Sequence, residues 1–293
     1  MKQLFLALSY CLLVTFNVQA QPATSQNALL WKVSGKGLQK PSYLFGTFHL
    51  LSNAFIDTIP AVLQAYREAD KVVGELVMDE NLQAPMMEAV MLQGTTLKEL
   101  LPSPVYTSTA KWFKAEAGLD LSQLDKLNPM AIVTTALAIA QQKYFPNPAG
   151  AVQLDSWFQQ AAKKDGKGVA GLEDIQVQID VLYKKINYQR QTELLADLLG
   201  EGVQLQDSLR MMYNAYLAKD LQKLEAMMYS GSYQPEEIKV LLDDRNNAWL
   251  SQLPGMMQKE ALFIAVGALH LSGQSGLVEG LRKKGYTLTP VHF

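Results

Sequence analysis

Two short apolar segments near opposite ends of the chain finish on the same string. Residues 43–52 read YLFGTFHLLS and residues 263–272 read FIAVGALHLS. In both, an apolar run meets glycine, two residues intervene, and histidine and leucine follow: Gly46 to His49, and Gly267 to His270. Glycine fills 19 of 293 positions and histidine only three, so chance is a poor explanation for the match. Each run reads as a buried strand, with glycine allowing a bulge or close backbone approach near its end. Ligands of open α/β sheets bind beyond the carboxyl ends of strands. For both imidazoles to serve one crevice, the two ends of the chain must be neighbours in one sheet.

The rest of the pattern agrees. Runs at 29–33 and 43–48, joined through Gly35, Gly37 and Pro41, predict a hairpin. Residues 59–69 read as a helix with Pro60 in its first turn, and 71–78 (KVVGELVM) as a buried strand. Helical periodicity then dominates, at 131–144, 154–164, 175–186, 191–199, 205–217 and 236–250, with one short apolar run at 168–172 that fits a strand. The end returns to strand (262–269), helix (277–284) and strand (286–291). The expected fold is α/β (α+β): a central sheet formed by the N- and C-terminal segments, with a large helical insertion over about residues 85–253. Methionine pairs at 86–87, 211–212, 227–228 and 256–257 read as adaptable helix packing rather than a thioether metal site.

Residues 1–20, MKQLFLALSYCLLVTFNVQA, read as a signal peptide. Lys2 is the positive start, an apolar stretch follows, and Val18 and Ala20 are the small residues before cleavage. The apolar run is shorter than the roughly 20 residues of a spanning helix. Tyr10 before Cys11 argues against a lipidated cysteine. The mature domain, 21–293, then has no cysteine and no stable membrane span, and a periplasmic or secreted location follows. A net charge of −2 gives no footprint for nucleic acid.

Glu75 is the third candidate. A carboxylate inside so apolar a run is costly to bury unless it is paired, protonated or bound to a cation. Two histidines and a carboxylate from separate strands form an open metal site, so His49, Glu75 and His270 are candidate ligands of Mn, Co or Zn. The alternative is that each histidine is a hydrogen-bonded packing residue. His292 has no partner nearby in sequence. There is no His-Glu-x-x-His and no Gly-x-Ser-x-Gly. The run Ser272-Gly-Gln-Ser-Gly276 reads as a turn opening the following helix.

These residues resemble the TraB/GumN family, which includes the animal Tiki proteins and looks related to erythromycin esterase and ChaN-like folds. The likeness spans roughly residues 29–292. It is carried by YLFGTFH (43–49), Glu75, Leu154-Asp155, Gly171-Leu-Glu173 with Gln178, Arg245-Asn246, and Gly267-Ala-Leu-His270-Leu with Gly273, Gly276 and Gly285-Tyr286. The resemblance implies a site at His49, Glu75 and His270, joined by Glu173, with Asp155 or Arg245 orienting its members. It implies a Tiki-like metalloprotease acting on a peptide or small-molecule substrate. Glu75 would be ligand or general base, and Arg245 a stabiliser of developing negative charge. Two other readings stand beside it: metal-free esterase-like hydrolysis with a histidine base, and haem or peptide binding without turnover.

Overall fold

The computed structural model describes residues 27–49, 51–145, 147–200 and 204–293. Residues 1–20, read above as a signal peptide, lie outside them. One six-stranded sheet organises the chain. Its strands are β1 (Leu30–Ser34), β2 (Ser42–Thr47), β3 (Lys71–Gly74), β4 (Gly168–Gly171), β5 (Leu262–Gly267) and β6 (Thr287–Val291), in the order β4-β3-β5-β2-β1-β6. Strands β2, β3, β4 and β5 pair in parallel, while β1 runs antiparallel to both β2 and β6.

The sequence explains this arrangement locally. Gly35, Lys36 and Gly37 all take positive φ, which closes the turn between β1 and β2. Strands β2 and β5 are buried along almost their whole length, as expected for apolar runs covered on both faces. Pro290 is confined to the outer strand β6, where a missing N–H costs no ladder bond to a further strand. Helices Pro60–Glu68 and Leu154–Lys164 pack on the sheet through Tyr66 and Phe158, which meet Phe45 of β2 and Phe263 of β5 with ring centroids 4.7 to 6.0 Å apart.

The expected architecture is present: both ends of the chain build the sheet, and most of the middle is helical. One addition and one correction refine it. The short run at 168–172 is a strand as expected, and the structure adds its place: β4 leaves the helical middle to pair with β3 at the sheet edge. The stretch 71–78 is not one strand, because β3 ends at Gly74 and Glu75 lies just beyond it. The helical stretches 175–186 and 236–250 each contain one turn of wider π-helix, Asp180–Lys184 and Lys239–Asp243. The intervening helices form a second apolar core around Leu97, Phe113, Ile132 and Leu195, and Phe48 and Met212 pack against both cores. The methionine pairs divide: Met257 is buried and Met212 half-buried, whereas Met87 and Met211 are exposed. Among the described residues no helix is long and apolar enough to cross a membrane.

Candidate functional site

The parallel strands β2, β3, β4 and β5 end side by side, and a candidate side chain follows each one. His49 comes two residues after β2, Glu75 directly after β3, Glu173 two residues after β4, and His270 in the short turn Ala268–Leu271 after β5. This is the edge at which open α/β sheets bind ligands. Gly46 lets β2 approach that turn closely. A Cβ there would stand 2.9 Å from Ala268 Cα and 3.2 Å from Leu271 Cδ2. Gly267 serves another purpose: its backbone N–H donates to Glu75 Oε1 at 2.9 Å.

Arg245 is the hub. It lies in the first turn of the helix Asp244–Met257, directly after the wider turn Lys239–Asp243. Its Nη2 donates to Glu75 Oε2 at 2.6 Å and to Glu173 Oε1 at 2.7 Å, and its Nε to Glu173 Oε2 at 3.1 Å. Its Nη1 reaches Leu241 O and His270 Nε2, both at 3.1 Å. A guanidinium has five N–H donors, and all five are engaged here. Trp249, one turn further along, donates Nε1 to Glu173 Oε2 and stacks on His270 with centroids 4.4 Å apart. Gln178 reaches Glu75 Oε2 at a long 3.4 Å.

His49 stands on the opposite side. Its Nδ1 is 3.3 Å from Asp155 Oδ2, a buried oxygen with no well-formed hydrogen bond. Asp155 Oδ1 accepts from Thr47 Oγ1 at 2.6 Å, and its helix begins one residue earlier, so the carboxylate sits at a favourable dipole end. Gln141 holds the His49 carbonyl at 2.9 Å, and Phe48 stacks on Tyr216.

The two imidazoles are in opposite states. The Asp155 carboxylate raises His49 to about 9, an effect that solvent screens in part because 71 % of the side-chain surface is exposed. Burial lowers His270 to about 4, against the pull of Glu75 and with the help of Arg245, so it is neutral near pH 7. Burial by itself would raise Glu75. The charges of His270 and Arg245, the Gly267 N–H and His49 outweigh it and bring the carboxyl to about 2, where His270 is itself protonated.

The structure therefore gathers every predicted site residue at one edge, in two groups: His49 with Asp155, and Glu75, Glu173, Arg245 and His270. His292 is exposed beyond β6. The predicted metal triad does not close. Among the described residues no three His, Cys, Asp or Glu side chains are grouped to hold a metal ion. The reason is on hand: His49 turns to Asp155, and Arg245 occupies both Glu75 Oε2 and His270 Nε2, which itself lies 3.8 Å from Glu75 Oε1. A divalent cation does not fit the residues in this arrangement. Arg245 also has no spare N–H for an oxyanion, which makes it an organiser of the cluster. Trp249 escaped the sequence reading, although its spacing of four from Arg245 on one helix was a readable signal.

The chain is 22% identical to Metalloprotease TIKI2 of Danio rerio over 313 aligned positions, covering 89% of this chain and 60% of that relative. It thus spans about 60% of the length of the curated relative it matches. No solved structure matches it. The profile of the TraB/PrgY/gumN family matches residues 29–290, across all six strands and the whole gathered edge, and the chain belongs to that family.

Proposed function

We propose that the chain is an exported hydrolase of peptide bonds, acting between His49 and the Glu75–His270 pair. One observation carries this reading: His49, backed by Asp155, and His270, backed by Asn246 and 3.8 Å from Glu75, follow the neighbouring parallel strands β2 and β5, and the opposite shifts of the two rings agree with it. Hydrolysis needs one proton removed from water and another delivered to the leaving group, and groups with separated pKa values suit that division. His49, oriented by Asp155 and open to solvent, is the proton donor. The carboxylate supports its imidazolium form. His270 is the neutral partner, able to accept a proton once Arg245 Nη1 releases its Nε2, and Glu75 orients the water. Arg245 holds Glu75, Glu173 and His270 in register. The choice of peptide bonds rests on the name of the TIKI2 relative, and export rests on residues 1–20.

A metal-dependent reaction is the second reading; it requires Arg245 to withdraw from Glu75 and His270, and one observation favours it. Two carboxylates, Glu75 and Glu173, face a single guanidinium, which leaves one negative charge unbalanced beside the His270 lone pair. The test is cleavage of a quenched-fluorescence peptide library by the purified protein, with chelator and after readdition of Mn, Co or Zn. Metal content of wild type and His49→Ala is measured in parallel. Cleavage that resists chelation but is lost in His49→Ala and Glu75→Gln supports the first reading. Chelator-sensitive cleavage restored by one metal supports the second. Full activity in His49→Ala, or no cleavage under any condition, overturns the hydrolase reading.

A further inference from the structure

We infer that Asn246, held by the turn Ser272–Gly276, is a positioning residue that sets the tautomer of His270, keeping the proton on Nδ1 and the lone pair of Nε2 toward Arg245 and Glu75. The purpose of that lone pair rests on the hydrolase reading; the tautomer itself does not.

The assignment follows from what each neighbour can and cannot do. An asparagine amide can be turned either way, and its orientation must come from its partners. Asn246 is buried, and its Nδ2 lies 3.0 Å from Ser275 O. A carbonyl oxygen only accepts, so the NH₂ group faces Ser275. Oδ1 then faces His270 Nδ1, at 2.7 Å. Oδ1 also only accepts, so Nδ1 carries the hydrogen. On the other side of the ring Arg245 has donors alone, at 3.1 Å from Nε2, so that nitrogen presents its lone pair. Two independent neighbours demand the same tautomer. The lowered pKa of His270 agrees with a neutral ring.

The turn is built for this task. Gly273 takes φ +75°, and Gly276 N–H donates to Gly273 O at 3.1 Å. A Cβ on Gly276 would fall 2.1 Å from Ser272 O, so no side chain fits there. The turn thereby offers the Ser275 carbonyl, not its hydroxyl, to Asn246. Second neighbours that fix the tautomer of a metal-bound histidine are typically worth about 10- to 100-fold, and an effect of that order is expected for this orienting contact.

The test is ¹⁵N NMR of the histidine rings in the full chain near pH 7, with the three histidines assigned by single His→Gln variants. The expected wild-type result is a neutral His270 with pyrrole-type Nδ1 and pyridine-type Nε2. Asn246→Leu should abolish that preference. Ser275→Ala keeps the carbonyl and should leave it intact. A wild-type ring protonated on Nε2, or a pattern unchanged in Asn246→Leu, overturns the inference. Because the wild-type spectrum decides by itself, a variant that fails to fold does not protect the idea. Under the hydrolase reading, kcat in Asn246→Leu falls about 10- to 100-fold. An expected tautomer without any peptide cleavage would overturn that reading and leave this one standing.

Discussion

Arg245 donates to Glu75 at 2.6 Å across a separation of 170 residues, and this one contact ties the helical middle of the chain to the end of β3. The guanidinium shares the same Nη2 with Glu173, gives Nε to Glu173 as well, and spends Nη1 on Leu241 and His270. Breaking a buried pair is costly because the partner's charge stays behind unmatched.

Arg245→Ala leaves both Glu75 and Glu173 without their counter-charge, with 15 % and 4 % of their side-chain surfaces exposed. The expected loss is about 3–5 kcal/mol of stability. Arg245→Lys should recover little of it, because three rotatable donors do not reproduce a planar five-donor fork. Chemical denaturation of the three proteins decides. A Lys variant as stable as wild type would contradict the saturated-hub description.

Stability should depend on pH in two opposed limbs. His270 is lowered to about 4, so between its ordinary 6.5 and 4 the unfolded chain binds a proton that the folded chain refuses, and stability falls as pH falls through that window. His49 is raised to about 9, so its contribution is complete below 6.5 and is lost as pH rises toward 9. These two groups together favour a maximum near pH 6.5. Urea melts from pH 4 to 9 should show the alkaline limb flattened in His49→Gln. An unchanged limb would remove His49 as its source.

Asp155→Asn tests the cause of the His49 shift. With the carboxylate gone, the imidazole should titrate closer to its ordinary 6.5, which NMR reads directly. A His49 pKa that stays near 9 in this variant would assign the shift to another group.

The two glycines of the repeated string should respond unequally to alanine. Gly46→Ala drives a Cβ to 2.9 Å from the Ala268 backbone and should cost about 1–3 kcal/mol, with displacement of the His270 turn. Gly267→Ala meets Glu75 Oε1 at 3.4 Å, an ordinary contact, and should cost less than about 1 kcal/mol. Equal thermal stability of the two variants would refute the packing account of Gly46.

Export is checked by mass. Cleavage after Ala20 predicts a mature protein that begins at Gln21 and lacks Cys11. Recovery of the protein with residues 1–20 attached would refute the signal-peptide reading.

Much of this was legible in the residues. Period-2 and continuous apolar runs marked the strands, and His49, Glu75 and His270 stood out because polar groups at the ends of such runs need a reason. What stayed hidden depended on pairing between distant segments. β4 was readable as a short apolar run, but its partner was not: it pairs with β3, nearly a hundred residues earlier. Arg245 and Asn246 sit in a helix whose amphipathic pattern says nothing of which sheet edge it will meet. Glu75 was displaced from strand interior to strand end because its carbonyl accepts from Leu172 and Glu173, which bends the chain out of the ladder.

The wider turn Lys239–Asp243 carries a consequence for insertions and deletions. An α-helix advances about 100° per residue, and a π turn holds one residue more than an α turn. Removing a single residue from 239–243 would let the helix wind regularly with Arg245, Asn246 and Trp249 still facing His270, whereas the same deletion in the regular turn before Trp249 would swing Trp249 by about a quarter of a revolution. In this segment chain length is thus less strict a requirement than residue identity: the wide turn holds one residue in reserve, and its loss shortens the helix without turning the three side chains away.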